Sequence, residues 1–136
     1  MQLDLAKFAD AAACRRWAAE EIDAAAGRAR SRYLTTVPGQ EATYTAKYAQ
    51  AQAYIAAAYP ADTTTYPWVA QEASRTGMTP TQAADRIKIT GDAWANVIGP
   101  AIEGLRIGGK DGLEARLTIA DVLTHCRSVI AALEAV

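Results

Sequence analysis

Between Tyr33 and Tyr44 the chain reads YLTTVPGQEATY, and no α-helix passes through its Pro38-Gly39 step. Proline lacks the N–H that a helix interior needs, and its ring drives Val37 out of the helical region. Thr35 and Thr36 favour non-helical backbone, and Gly39 relieves the turn that follows. On both sides of this break the apolar residues recur at helical three-and-four spacing. Cys14, Ala18, Ile22, Ala25, Ala29 and Tyr33 make one stripe, and Tyr44, Tyr48, Ala51, Ile55 and Ala58 make another. The spacing predicts a first helix from Leu5 to Leu34 and a second resuming near Gln40. A short connection between two long stripes predicts an antiparallel helical hairpin over residues 5–59. The first helix would be about 40 Å long, which makes the expected body elongated.

YPADTTTYP, residues 59–67, carries two prolines and three threonines and reads as a loop. Pro67 suits the first turn of a short helix bearing Trp68, Val69 and Ala73, and Gly77 suits its C-terminal cap. Thr79, Pro80 and Gln82 then spell a capping box, with Met78 placed as a staple. Ala83, Ile87, Trp94, Ile98, Ala101 and Leu105 continue one face, across a kink expected at Gly99-Pro100. GGKDG, residues 108–112, reads as a break. Ile119, Val122, Cys126, Val129 and Leu133 mark a last helix, beginning at Leu113 or at Thr118, where Asp121 completes a weaker capping pair. The fold class is therefore all-α, a helical bundle built from the hairpin and further helices over 67–136. At 136 residues one domain, 1–136, is expected.

The hydrophobic fraction is 51%, but Ala supplies roughly half of it. Alanine contributes little burial beside Leu, Ile or Phe, so the core is thin. Such helices pack closely on one another or cover their faces with another chain. The formal net charge of −1 argues against a nonspecific nucleic-acid binder. Glu20, Glu21 and Asp23 precede Arg28, Arg30 and Arg32, the order a helix dipole favours, and read as a solvated helix. Asp4, Lys7 and Asp10 interrupt any signal-peptide run, and no stretch approaches the ~18 apolar residues of a membrane span. A cytosolic product with Cys14 and Cys126 as reduced thiols is expected, a bridge between the terminal helices being the open alternative.

Candidate chemistry is sparse. Gly104, Gly109 and Lys110 fit the first seven positions of a phosphate-binding loop, but Asp111 stands where Ser or Thr must hold magnesium. His125 adjoins Cys126, yet neighbouring helix residues diverge by about 100°, so imidazole and thiol do not meet. Asp121 and His125 are spaced to pair at the surface, and Cys126 reads as a small buried hydrophobe. So few His and Cys give poor support to a metal site. Glu20, Glu21, Glu103 and Glu114 give no paired-carboxylate geometry. Tyr33, Tyr44, Tyr48, Tyr54 and Tyr59 lack the basic groove of a base-stacking platform. TQAADRIKITGDAWANVI, residues 81–98, has the length of a helix-turn-helix around Thr90-Gly91, but its second half carries no Lys or Arg to contact DNA.

The pieces Glu21–Ile55, YPWVAQEA from Tyr66, Trp94, AIEGLR from Ala101, and Lys110 resemble a family of small helical proteins encoded in the tail-fibre and baseplate operons of tailed bacteriophages. TVPGQEATY is the most specific piece, and GGKDG departs from the family's unbroken Ala-rich helix. The resemblance implies a virion-associated or tail-assembly role, with no catalytic motif to carry over. The expectation is a non-catalytic structural protein of the phage tail, tail fibre or baseplate, made in the host cytoplasm and located in the virion. It would dock a tail or tail-fibre protein and form a homo-oligomer, without cofactor, metal, nucleic acid or membrane. A tail-assembly chaperone and a helix-turn-helix regulator are the alternatives. Trp17, Tyr54, Tyr66 and Trp68 are the expected partner contacts, because aromatic anchors and small-residue faces favour helix association.

Overall fold

The computed structural model describes residues 7–34 and 38–136. It is all-helical: α1 (Ala11–Ser31), α2 (Gln40–Ala56), α3 (Pro67–Thr76), α4 (Pro80–Ala93), a π segment (Trp94–Ile98), α5 (Gly99–Asp111) and α6 (Ile119–Glu134). The described residues divide into two compact units: the first joins the chain up to Tyr33 with Ile98–Val136, and the second is Leu34–Val97. The first two long helices take their packing partners from later helices of their own units. α1 packs on α6 and α5, whereas α2 packs on α4 and α3. The expected pairing over residues 5–59 is thus not what organises either core.

In the first unit α1 begins at Ala11, because the Asp10 carboxylate accepts the Ala13 N–H at 2.7 Å. Of the start expected at Leu5, residues 5 and 6 lie outside the described residues, and Lys7 to Asp10 precede the helix. Cys14, Ala18, Ile22, Ala25, Ala26 and Ala29 are all buried. Arg30 meets Glu103 at 2.7 Å and Asp23 meets Lys110 at 2.8 Å, so α1 and α5 run antiparallel. Arg15 Nη1 donates to Arg116 O just before α6, and Arg32 Nη2 to Leu133 O near its end, so α1 and α6 run parallel. Arg32 also donates to Val136 O, answering carbonyls that a helix C-terminus leaves free. Of the three arginines read as solvated, Arg30 and Arg32 thus hold helices together.

Residues 108–111, read as a break, are helical to Asp111. A Cβ on Gly109 would lie 2.6 Å from Val129 Cγ1, and one on Gly112 would lie 2.6 Å from His125 Cε1. These glycines serve a close α5–α6 approach rather than a stop. α6 starts at the later of the two expected positions, since Thr118 Oγ1 accepts from Asp121 N.

In the second unit Gly39 sits at φ 82° before α2, as the turn requires, while Thr35, Thr36 and Val37 lie outside the described residues. The loop expected at 59–67 is present. Pro67 opens α3, Gly77 closes it at φ 70°, and both hydrogen bonds of the Thr79–Gln82 box are made. Ala51, Tyr54, Val69, Ala84 and Ile87 form the core, with Ile55 and Tyr66 packed against it. Ala58, expected on the buried stripe, is exposed beyond the end of α2. Gly91 is tolerated mid-helix because the Tyr48 ring occupies the space of its absent side chain, 2.0 Å from where a Cβ would sit.

Immediately before Gly99-Pro100, where a kink is expected from the sequence, Trp94–Ile98 form a π segment. Its i→i+5 ladder takes in one residue more than an α turn, which rotates the following face. Ile102 and not Ala101 is therefore buried at the start of α5.

Candidate partner-contact surface

The aromatic corner of the second unit is built by a side chain that sequence reading passed over. Gln50 Oε1 accepts from the backbone N–H groups of Trp68, at 2.6 Å, and Val69, at 3.1 Å. It caps α3 from across the interface, because Tyr66 before Pro67 supplies no side-chain cap. The cap fixes where α3 begins and hence where Tyr66 and Trp68 stand.

Tyr54 is the hub of the corner. Its ring meets Tyr59 edge-on at 5.8 Å and Tyr66 at 5.0 Å, and its hydroxyl donates to Pro60 O at 2.9 Å. At 2% exposure Tyr54 is core, which corrects its assignment as a partner contact. The helix turns Tyr54 inward, one position before Ile55, where the expected stripe placed the face. Tyr66 is half-buried, and Trp68 presents 41% of its surface. Tyr59, not among the expected contacts, is 37% exposed and lies with Ala58 in the left-handed region. Each such residue stores about 1 kcal/mol or more of backbone strain. The Tyr59 hydroxyl donates to Asp85 at 2.6 Å, which pushes the phenol pKa up and ties the strained turn to α4. No pattern of apolar spacing could have announced Tyr59, since it lies outside any helix.

Trp17 belongs to the other unit. It is half-buried with its ring 5.3 Å from Phe8, so it covers the start of α1.

Polar groups near the corner are engaged with one another. Lys47 meets Glu72 at 2.7 Å, and Arg86 lies 3.5 Å from the other carboxylate oxygen, which is buried without a hydrogen bond. Asp92 accepts from Lys88 and from the Tyr48 hydroxyl. Those bonds, Lys88's first, hold Asp92 below the usual carboxylate range, and Asp92 in turn raises the Tyr48 phenol.

The competing sites fare as follows. Gly104 to Lys110 is helix, and Lys110 is bound to Asp23 rather than shaped into a loop for phosphate. Residues 80–93 are one unbroken helix, so Thr90-Gly91 makes no turn of a helix-turn-helix. His125 Nε2 lies 2.8 Å from Gly109 O, so its bond is to α5 and not to Asp121. Cys14 and Cys126 are free and buried, and burial pushes the Cys126 thiol up to about 11. Among the described residues no group of three or more His, Cys, Asp or Glu could hold a metal ion, and no helix is long and apolar enough to cross a membrane. Comparison with family models, curated proteins and solved structures gives no match.

Proposed function

We propose that the chain is a non-catalytic structural protein of a bacteriophage virion, associated with the tail, tail fibre or baseplate, and acting by protein–protein docking. The observation that carries the docking part is the fixed aromatic corner, where Trp68 and Tyr59 stand 41% and 37% exposed on backbone held by Gln50 and Asp85. Exposed aromatics on rigid backbone are the usual anchors of a binding surface, because little side-chain freedom is lost on contact. The phage assignment rests on the resemblance over Glu21–Ile55 and Tyr66–Ala73.

Two measurements test it. Mass spectrometry of purified particles should find the chain in stoichiometric amount with tail proteins. Its presence only in lysates, bound to a fibre protein, would replace the virion role with that of a tail-assembly chaperone. Trp68→Ala should weaken association with the tail partner at least tenfold while leaving the melting temperature unchanged; unchanged association would remove the corner from the interface. Sedimentation of the isolated chain reads its self-association, and a monomer at all concentrations would exclude the homo-oligomer.

A further inference from the structure

Tyr59 is held where an unconstrained turn would not hold it. Ala58 and Tyr59 both stand in the left-handed region, at φ 63° and 55°, which L residues with a side chain resist. Three contacts keep Tyr59 there: its N–H donates to Tyr54 O at 3.1 Å, its ring meets the Tyr54 ring, and its hydroxyl donates to Asp85. The ring is nevertheless exposed. A phenol that donates to a carboxylate pushes electron density into its ring, and the ring face then attracts a cation more strongly. The charge around it is one-sided. Asp62, in the loop that Tyr59 opens, accepts from the Thr64 hydroxyl and N–H, which hold its carboxyl below the usual range. Arg86, next to Asp85 on α4, turns to Glu72, which Lys47 also binds, and Lys88 binds Asp92. Among the described residues neither Asp62 nor Asp85 is answered by a Lys or Arg.

We propose that Tyr59 and Asp85 form the part of the docking surface that receives an arginine side chain of the partner, its guanidinium stacked on the phenol ring and donating to the carboxylate. The assignment rests on the docking reading and adds the partner's chemistry to it. The two groups are joined on the page, since an Asp85 oxygen stands 2.6 Å beyond the Tyr59 hydroxyl. A guanidinium lying over the hydroxyl end of the ring has that carboxylate at its edge. Arginine suits this pair better than lysine. Its flat head stacks on an aromatic face and still has N–H groups in its plane to donate, whereas an ammonium is compact and more strongly hydrated. The strained backbone at Ala58 and Tyr59 keeps the ring fixed for the contact, as strain held at a binding site does.

The test adds Nα-acetyl-arginine methylamide to the full chain and follows the backbone amides by NMR. Nα-acetyl-citrulline methylamide, uncharged and of the same shape, is the control. Saturating shifts should centre on Tyr59 and Asp85 below about 100 mM arginine probe, with the citrulline probe about fivefold weaker. Asp85→Asn keeps an acceptor for the Tyr59 hydroxyl and removes the charge. It should weaken the arginine probe about fivefold and leave the rest of the amide spectrum in place. Tyr59→Gly, which suits the left-handed backbone, should abolish the shifts. Citrulline or lysine probes binding as tightly as arginine, shifts centred elsewhere, no saturation, or an affinity that Asp85→Asn leaves unchanged would each overturn the proposal. None of these results measures association with the tail partner, and the docking reading stands or falls separately on Trp68→Ala.

Discussion

Glycine to alanine at six positions sorts the residues by what each backbone touches. In α1, α4 and α5 alanine should ordinarily stabilise a helix by about 1 kcal/mol over glycine. Gly27, Gly104 and Gly108 have nothing within 4 Å of an added Cβ, so Gly→Ala there should raise the urea midpoint. Gly91→Ala drives a methyl into the Tyr48 ring, and Gly109→Ala drives one into branched, stiff Val129. These two should lower stability by about 1–3 kcal/mol, as overpacking does. Gly112→Ala displaces the His125 ring and should fall with them. Chemical denaturation of the six variants reads all of these. The sequence showed the glycines but not which were contacts. A GGKDG run in isolation has the composition of a break, and only Val129 and His125 opposite make it a seam.

Tyr54 and Trp68 separate folding from docking. Tyr54→Phe loses the bond to Pro60 O and should cost about 1 kcal/mol, and Tyr54→Ala about 3–5 kcal/mol. Trp68→Ala should stay within about 0.5 kcal/mol of the parent in the same urea titration.

The helix ends form a second group, and they were the most legible part of the molecule. The Thr79–Gln82 box, Pro67, Gly77 and Thr118 all stand where local chemistry places them, because a cap depends on residues within four positions. Thr79→Ala should cost about 1 kcal/mol. Gln50→Ala should cost a similar amount by leaving two α3 N–H groups without their acceptor, and loss of α3 protection in hydrogen exchange would localise it. This second cap comes from another helix, so no local pattern contains it. The same limit explains the partner choice: apolar stripes identified α1 and α2 as helices, but small alanine faces are too alike to say which stripe meets which. Across the π segment periodic reading fails for a further reason, since one extra residue moves the buried position from Ala101 to Ile102.

Arg106 of α5 binds Asp23 of α1 at 2.9 Å and Glu103 of its own helix at 2.9 Å. Lys110's hydrogen bond, with that of Arg106 behind it, holds Asp23 below its usual range, and Arg106 does the same for Glu103. Both carboxyls bind protons more weakly folded than unfolded. Stability present above their unfolded pKa, about 4, is therefore lost as pH falls through the lower folded values. A lower urea midpoint at pH 3 than at pH 7 is expected, with a smaller drop in Arg106→Ala. The effect is modest, since these groups are partly exposed and screened. Cys126 acts at the other end. Its thiol is held protonated up to about 11 in the folded chain, so the unfolded state ionises first and stability declines as pH climbs from the ordinary thiol value toward 11.

At the scale of the whole molecule, the two units differ in how far apart their contacts lie along the chain. Unit Leu34–Val97 closes on itself within 64 residues (97 − 34 + 1), whereas the other joins Arg15 to Arg116 across 101 positions. Local contacts cost less loop-closure entropy and form faster. Pulse-labelled hydrogen exchange during refolding should protect Ala84 and Ile87 before Ile22 and Ala26. Simultaneous protection would show that one unit does not form ahead of the other.

The split core also bears on synthesis. On a ribosome α1 emerges well ahead of the helices that cover its alanine and cysteine face, α5 and α6, which follow roughly seventy to a hundred positions later. At about 5–20 residues per second that face stays bare for several seconds at least. Its small side chains are then an asset: a nascent surface of alanines gives passing chains far less to grip than one of leucines.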